Sequence, residues 1–160
     1  VKGLKPTVYG VSSTQEETGM LGARTMAFAL KPNLGIALDV THAIDYPGMS
    51  KSRFGDVALG KGPALIRGVK TSELLFDMLE QTAKDNQIPY QVEVEEGRTG
   101  TDADAMADSG IGIPVTVVSI PNRYMHTSTE LCHVDDLDNA VKLLVAFIQR
   151  LDANTNLIPQ

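Results

Sequence analysis

The sequence predicts an α/β fold, a three-layer sandwich around a mixed, mostly parallel central sheet. Three observations predict it. Short apolar, β-branched runs alternate with helical stretches along the chain. Leu74, Leu75, Met78 and Leu79 recur at the spacing of one buried helix face. Polar residues able to do chemistry follow the ends of the strand-like runs, where α/β folds gather their sites.

The elements follow in order. Residues 7–12 (TVYGVS) read as a strand, and the turn-rich SSTQEETG leads into a helix over 20–30. Pro32 stops that helix, because proline cannot continue one. Residues 34–40 (LGIALDV) read as a buried-type strand, 47–62 as a long loop and 64–66 as a short strand. A helix is expected over 71–86 with Thr71 as a candidate N-cap. Residues 90–95 (YQVEVE) alternate with period two, as a half-exposed strand does. A short helix over 101–109 and a strand over 115–120 (VTVVSI) come next. A last helix over 135–151 shows Leu137, Val141, Leu144, Val145 and Ile148 on one face. The expected organisation is one domain over 1–152 and a loose polar tail over 153–160.

Composition narrows the class. The 160 residues suffice for one domain with a real core. Fourteen basic against twenty acidic residues give a net charge of −6, which argues against a nucleic-acid partner. No apolar run approaches the ~18–20 residues of a membrane span. A single cysteine, Cys132, excludes an internal disulfide framework. No charged-then-apolar leader is visible, so a cytoplasmic location is expected.

Four segments bring polar groups to strand ends. They are Gln15-Glu16-Glu17, then Asp39 with Thr41, His42 and Asp45, then 97–102 (GRTGTD), then 121–126 (PNRYMH). Carboxylates with a histidine form the ligand set of a hard or borderline divalent metal. Each residue also has a plainer explanation. Adjacent glutamates suit a solvated turn. Asp39, inside an apolar run, is explained equally by a cap, a salt bridge or a metal. Arg98, Arg123 and Asp102 suit mutual ion pairs.

Five blocks in order carry a more specific signal: VSSTQEETGMLGART, ALDVTHAIDYPG, GDVALGKGPAL, EEGRTGTDADAM and VSIPNRYMHTSTELCHVDDL. Together they resemble the di-metal aminopeptidase family that contains glutamyl aminopeptidases, deblocking aminopeptidases and TET peptidases. The resemblance implies a co-catalytic zinc exopeptidase-like sandwich. It implies that Glu16 is the catalytic general base, that Glu17 and His126 bind one metal and that Asp39 binds the other. It places Thr101 and Asp102 in the pocket, and Arg123 and Tyr124 as supports of His126. It assigns no ligand role to His42 or His133. Two divalent metal ions, zinc or cobalt, and peptide substrates with a free N-terminus are implied as cofactors and partners, and a homo-oligomer is expected because a sheet without its upstream strands exposes apolar edge or face.

The family pattern also has an upstream His-x-Asp motif, a bridging aspartate and a smaller β-rich domain. None of the fifteen residues before Glu16 is His or Asp. The chain is therefore expected to be the C-terminal part of a catalytic domain, weakly active or inactive alone. Two other functions stay open: a glycoside hydrolase, as some relatives are labelled cellulases, and a non-catalytic assembly module with an incomplete metal site.

Overall fold

The computed structural model describes residues 3–157. The outermost residues of the expected domain and tail, 1–2 and 158–160, lie outside them. The elements in order are α1 (Leu21–Leu30), β1 (Gly35–His42), α2 (Lys51–Phe54), β2 (Ala64–Gly68), α3 (Glu73–Asp85), β3 (Gln91–Glu95), α4 (Asp102–Ala107), β4 (Val115–Arg123), β5 (Leu131–Cys132) and α5 (Val134–Arg150).

The sheet runs β1-β4-β2-β3, with β5 beside the end of β4. β1 and β4 pair in parallel from Gly35↔Val115 to His42↔Asn122, and β2 and β3 are also parallel. The two parallel pairs meet through a short antiparallel contact at Ala64↔Ser119 and Leu65↔Val118. Alternating side chains feed two cores. Leu65, Val118 and Ile120 pack with Leu75, Phe76 and Leu79 of α3 and Leu143 and Phe147 of α5. On the opposite face, Ala37, Ile66, Val115 and Val117 pack against Ala103 and Met106 of α4, and α1 lies against α4. This is the expected α/β sandwich with a mixed sheet.

Several local expectations are corrected. Residues 7–12 form no strand: the segment is irregular and exposed, with no ladder partner among the described residues. Its β-branched composition has no neighbouring strand among the described residues to satisfy it, and β preference is realised by pairing and burial. β1 is an edge strand, and Leu38 on it is 57% exposed. The loop over 47–62 contains the one-turn helix α2.

Ser72, not Thr71, caps α3 by accepting from Leu75 N. Thr71 Oγ1 instead closes the preceding turn onto Gly68. In β3 the valines point outward, while Gln91, Glu93 and Glu95 are half-buried. Polar partners explain the inversion: Gln91 bonds Ala58 and Gly62, and Thr41 Oγ1 donates to Glu93 Oε1 at 2.7 Å.

The buried face of α5 is Asp136, Ala140, Leu143 and Phe147, whereas Leu137 and Val141 face solvent. Asp136 is fully buried because its carboxylate accepts from Gly60 N and Gly62 N, both at 2.7 Å. Gly62 itself has φ +93°, and a Cβ there would lie 2.1 Å from Pro89 O, so only glycine fits. The start of the tail makes contacts with the domain and within itself. Leu157 packs on the α3–α5 core, and Asp152 and Thr155 bond each other.

Candidate metal centre

The segment carrying Glu16 and Glu17 is a tight turn ahead of α1. Gly19 N and Met20 N both donate to Glu16 O, and Gln15 and Met20 take left-handed φ values of 58° and 56°. Gly22 lets the turn fold back, since a Cβ there would sit 2.5 Å from Thr14 N. Left-handed backbone at residues other than glycine carries strain that the surroundings must hold.

Asp39 arrives on β1, two residues before Thr41 on the same face. Its Oδ1 accepts from Val40 N at 2.8 Å. Asp102 opens α4, and Ser13 Oγ donates to its Oδ2, so the Glu-Glu turn is tied to α4. Asp102 Oδ1 is buried without a partner. Thr101, buried, caps α4 by accepting from Ala103 N at 3.2 Å.

His126 follows the end of β4. Its Nε2 lies 3.1 Å from Glu17 Oε1. Both side chains are mostly exposed, so the pair adds little stability. Its interest is that chain segments over a hundred residues apart meet there. Tyr124 and His126 both adopt left-handed backbone, with φ 62° and 63°.

Arg123 makes a two-pronged bond to Asp45, at 2.8 and 2.7 Å, and a third to Asp45 O. The Tyr124 ring packs on Tyr46, with centroids 5.0 Å apart. Arg123 and Tyr124 thus fix the turn bearing His126 to the loop after β1. The ion pairs allowed among Arg98, Arg123 and Asp102 do not form among themselves. Arg98 pairs with Asp104, and Arg123 with Asp45.

Charge crowding marks the cluster. Burial raises the Glu16 carboxyl above its usual range, and Asp39, Glu17 and Asp102 push it further while His126 opposes them. Burial also raises Asp39, against its bond from Val40 N, with Asp102 and Glu17 adding to the rise. Both groups hold a proton more tightly folded than unfolded. Their contribution to stability is therefore full below the unfolded carboxylate pKa and is lost as pH rises through the raised folded value. Asp39→Asn is expected to raise the Tm of the metal-free chain at pH 7, with the gain shrinking as pH falls toward the carboxylate range. Thermal melts at both pH values check this.

The donor set suits a divalent cation: two carboxylates and an imidazole, with an orphaned Asp102 oxygen beside them. The geometry gathers these donors only in part. Among the described residues, no three His, Cys, Asp or Glu side chains stand close enough to hold a metal ion together. Glu17 and His126 touch, while Asp39 is turned to its own backbone and Asp102 to Ser13. His42 is exposed at the end of β1. His133 caps α5, its Nδ1 accepting from Asp135 N.

Sequence reading missed Asp104. Fully buried, it accepts from Arg98 Nε, Thr99 N, Thr99 Oγ1 and Gly100 N, which shapes the loop before Asp102. A signal was present: Thr101-x-x-Asp104 has the spacing of a capping box. Asp45 and Ser13 carry no comparable local pattern.

Comparison with known proteins adds to this geometry. The family model for M42 glutamyl aminopeptidase matches residues 2–143. The chain is 40% identical over 146 residues to a lysyl aminopeptidase of Pyrococcus furiosus, covering 90% of this chain and 41% of that protein. It superposes on a TET aminopeptidase from Thaumarchaeota archaeon SCGC AB-539-E09 with a TM-score of 0.83 and 33% identity, covering 89% of this chain and 40% of that one. A TET1 peptidase of Pyrococcus horikoshii, described as assembling into a tetrahedron or a large octahedral shell, matches with a TM-score of 0.68 and 30% identity, over 87% of this chain and 40% of that one. The chain thus spans less than half the length of the relatives it matches.

Proposed function

The chain belongs to the M42 glutamyl aminopeptidase family, and on that premise we propose that it carries part of a metal-dependent site that removes N-terminal residues from peptides. The observation that supports this reading best is the Glu17–His126 contact at 3.1 Å, beside a Glu16 carboxyl raised by burial and then by its acidic neighbours.

In this reading Glu17 and His126 would hold one divalent ion and Asp39 would hold a second, zinc or cobalt. What such ions supply is Lewis acidity toward water and toward the scissile carbonyl. Glu16 takes the proton from the attacking water and delivers it to the leaving amine. Its carboxyl is displaced upward, toward the working pH, which is the direction that favours a general base. The surrounding carboxylates attract the ammonium group of a free N-terminus. Asp102, held by Ser13, shapes the pocket with Thr101, and Arg123 and Tyr124 support the His126 turn.

The remaining ligands, a bridging aspartate and a second histidine, would come from the part of the relatives that this chain does not cover. The glycosidase reading is not favoured. That chemistry needs two carboxylates flanking a bond across a cleft, not a carboxylate in contact with an imidazole. The exposed segment 7–12 and the uncovered edge at Leu38 support self-association. Among the described residues no helix is long and apolar enough to cross a membrane, and a cytoplasmic location is part of the same proposal. The test is whether zinc binds through His126, by titration calorimetry of the chain and its His126→Ala variant.

A further inference from the structure

Glu130 closes the turn that carries His126. Its Oε1 accepts from His126 N at 2.6 Å, and its Oε2 accepts from Asn122 Nδ2 at 3.0 Å. One carboxylate therefore spans the turn, gripping the strand where it leaves the sheet and the residue where the imidazole begins. Within this turn Tyr124 and His126 adopt left-handed backbone, and Thr127 N donates to Tyr124 O at 3.1 Å. Such backbone does not hold itself.

Asn122 is a firm anchor. It is 2% exposed, and its carbonyl accepts from Ala43 N at 2.9 Å, just beyond the β1 strand that carries Asp39. Behind Glu130 the chain returns as β5, with Asn122↔Cys132 and Arg123↔Leu131 in register. A continuous bonded path thus runs from the end of the Asp39 strand through Ala43, Asn122 and Glu130 to the backbone of His126.

We infer that Glu130 is the positioning residue for His126, fixing through the His126 amide the direction in which the imidazole meets Glu17. Its hydrogen bond is to the main chain of His126, so it acts on the site through His126. The inference rests on the reading of His126 as a metal ligand. Groups that orient ligands typically change metal affinity by about 10- to 100-fold when removed.

Glu130 is exposed, so replacing it opens no core. Two variants separate its two bonds: Glu130→Ala removes both grips, while Glu130→Gln keeps the length and at most one strong acceptor. Two readouts are taken on the chain: hydrogen exchange of the His126 amide by NMR, and zinc affinity by calorimetry, with His126→Ala alongside.

The expected result is His126 amide exchange faster by about tenfold in Glu130→Ala, as for loss of a charge-assisted bond. Zinc affinity should fall by about 10- to 100-fold, with Glu130→Gln intermediate in both. Unchanged amide exchange in Glu130→Ala overturns the inference. So does unchanged zinc affinity in Glu130→Ala when His126→Ala abolishes binding. If His126→Ala itself leaves zinc binding intact, the ligand reading of His126 falls, while the exchange arm still decides whether Glu130 holds the turn.

Discussion

Glu16→Gln is expected to lower hydrolysis of N-terminal residues by about a hundred- to ten-thousand-fold, the usual contribution of a general base. Glutamine matches glutamate in shape and can still accept a hydrogen bond, but it cannot take a proton at neutral pH. The assay uses an aminoacyl-anilide substrate and a protein of the relatives' length that carries this segment. Metal content should stay near that of the parent, because Glu17, and not Glu16, makes the contact with His126. Glu17→Gln should lose both activity and metal. The two adjacent glutamates thus separate by readout. A Glu16→Gln protein within a few-fold of the parent would show that the proton goes elsewhere.

Phe147→Ala is expected to cost about 3–5 kcal/mol of folding stability, the range for truncating a fully buried aromatic side chain. Phe147 has no exposed surface, and it lies on α5 in the cluster with Leu65, Leu75, Leu79 and Val118. That cluster joins α3 and α5 to the sheet, so truncation leaves a cavity between the layers. For a chain of this size the loss corresponds to a fall in Tm on the order of 10 °C. Phe147→Leu, which keeps most of the volume, should lose much less. Val141→Ala, on the exposed side of the same helix, should change Tm little. Equal losses at the two positions would contradict the assignment of the buried face.

The helix α5 shows where sequence reading succeeded and where it stopped. Its existence and length follow from helical periodicity alone. Its orientation does not, because Leu137 and Val141 form an apolar stripe as regular as the one through Ala140, Leu143 and Phe147. The deciding residue is Asp136. It turns inward because two backbone amides more than seventy residues earlier, at Gly60 and Gly62, need an acceptor. No local pattern contains that information. β3 forms as expected but faces the other way, since Glu93 is bonded by Thr41 on β1 and Gln91 by the loop at Ala58, and the polar face turns inward.

β1 and β4 were legible because they are near-continuous apolar runs, as strands of a parallel pair tend to be. Residues 7–12 have similar composition but lack a neighbouring strand among the described residues. The candidate site divides likewise. Glu16, Glu17, Asp39 and His126 stand out by their blocks. Asp45 stands among the strand-end polar groups, but its role, like Ser13, Asp104 and Glu130 themselves, is visible only once the hydrogen bonds are.

The central claim is that Glu17 and His126, brought to 3.1 Å by the fold, are ligands of one divalent ion. Titration calorimetry of zinc into the chain and into His126→Ala tests it most directly. The expected result is weak one-site binding by the parent chain that His126→Ala and Glu17→Gln each abolish. Binding that is equal in all three proteins would contradict the claim.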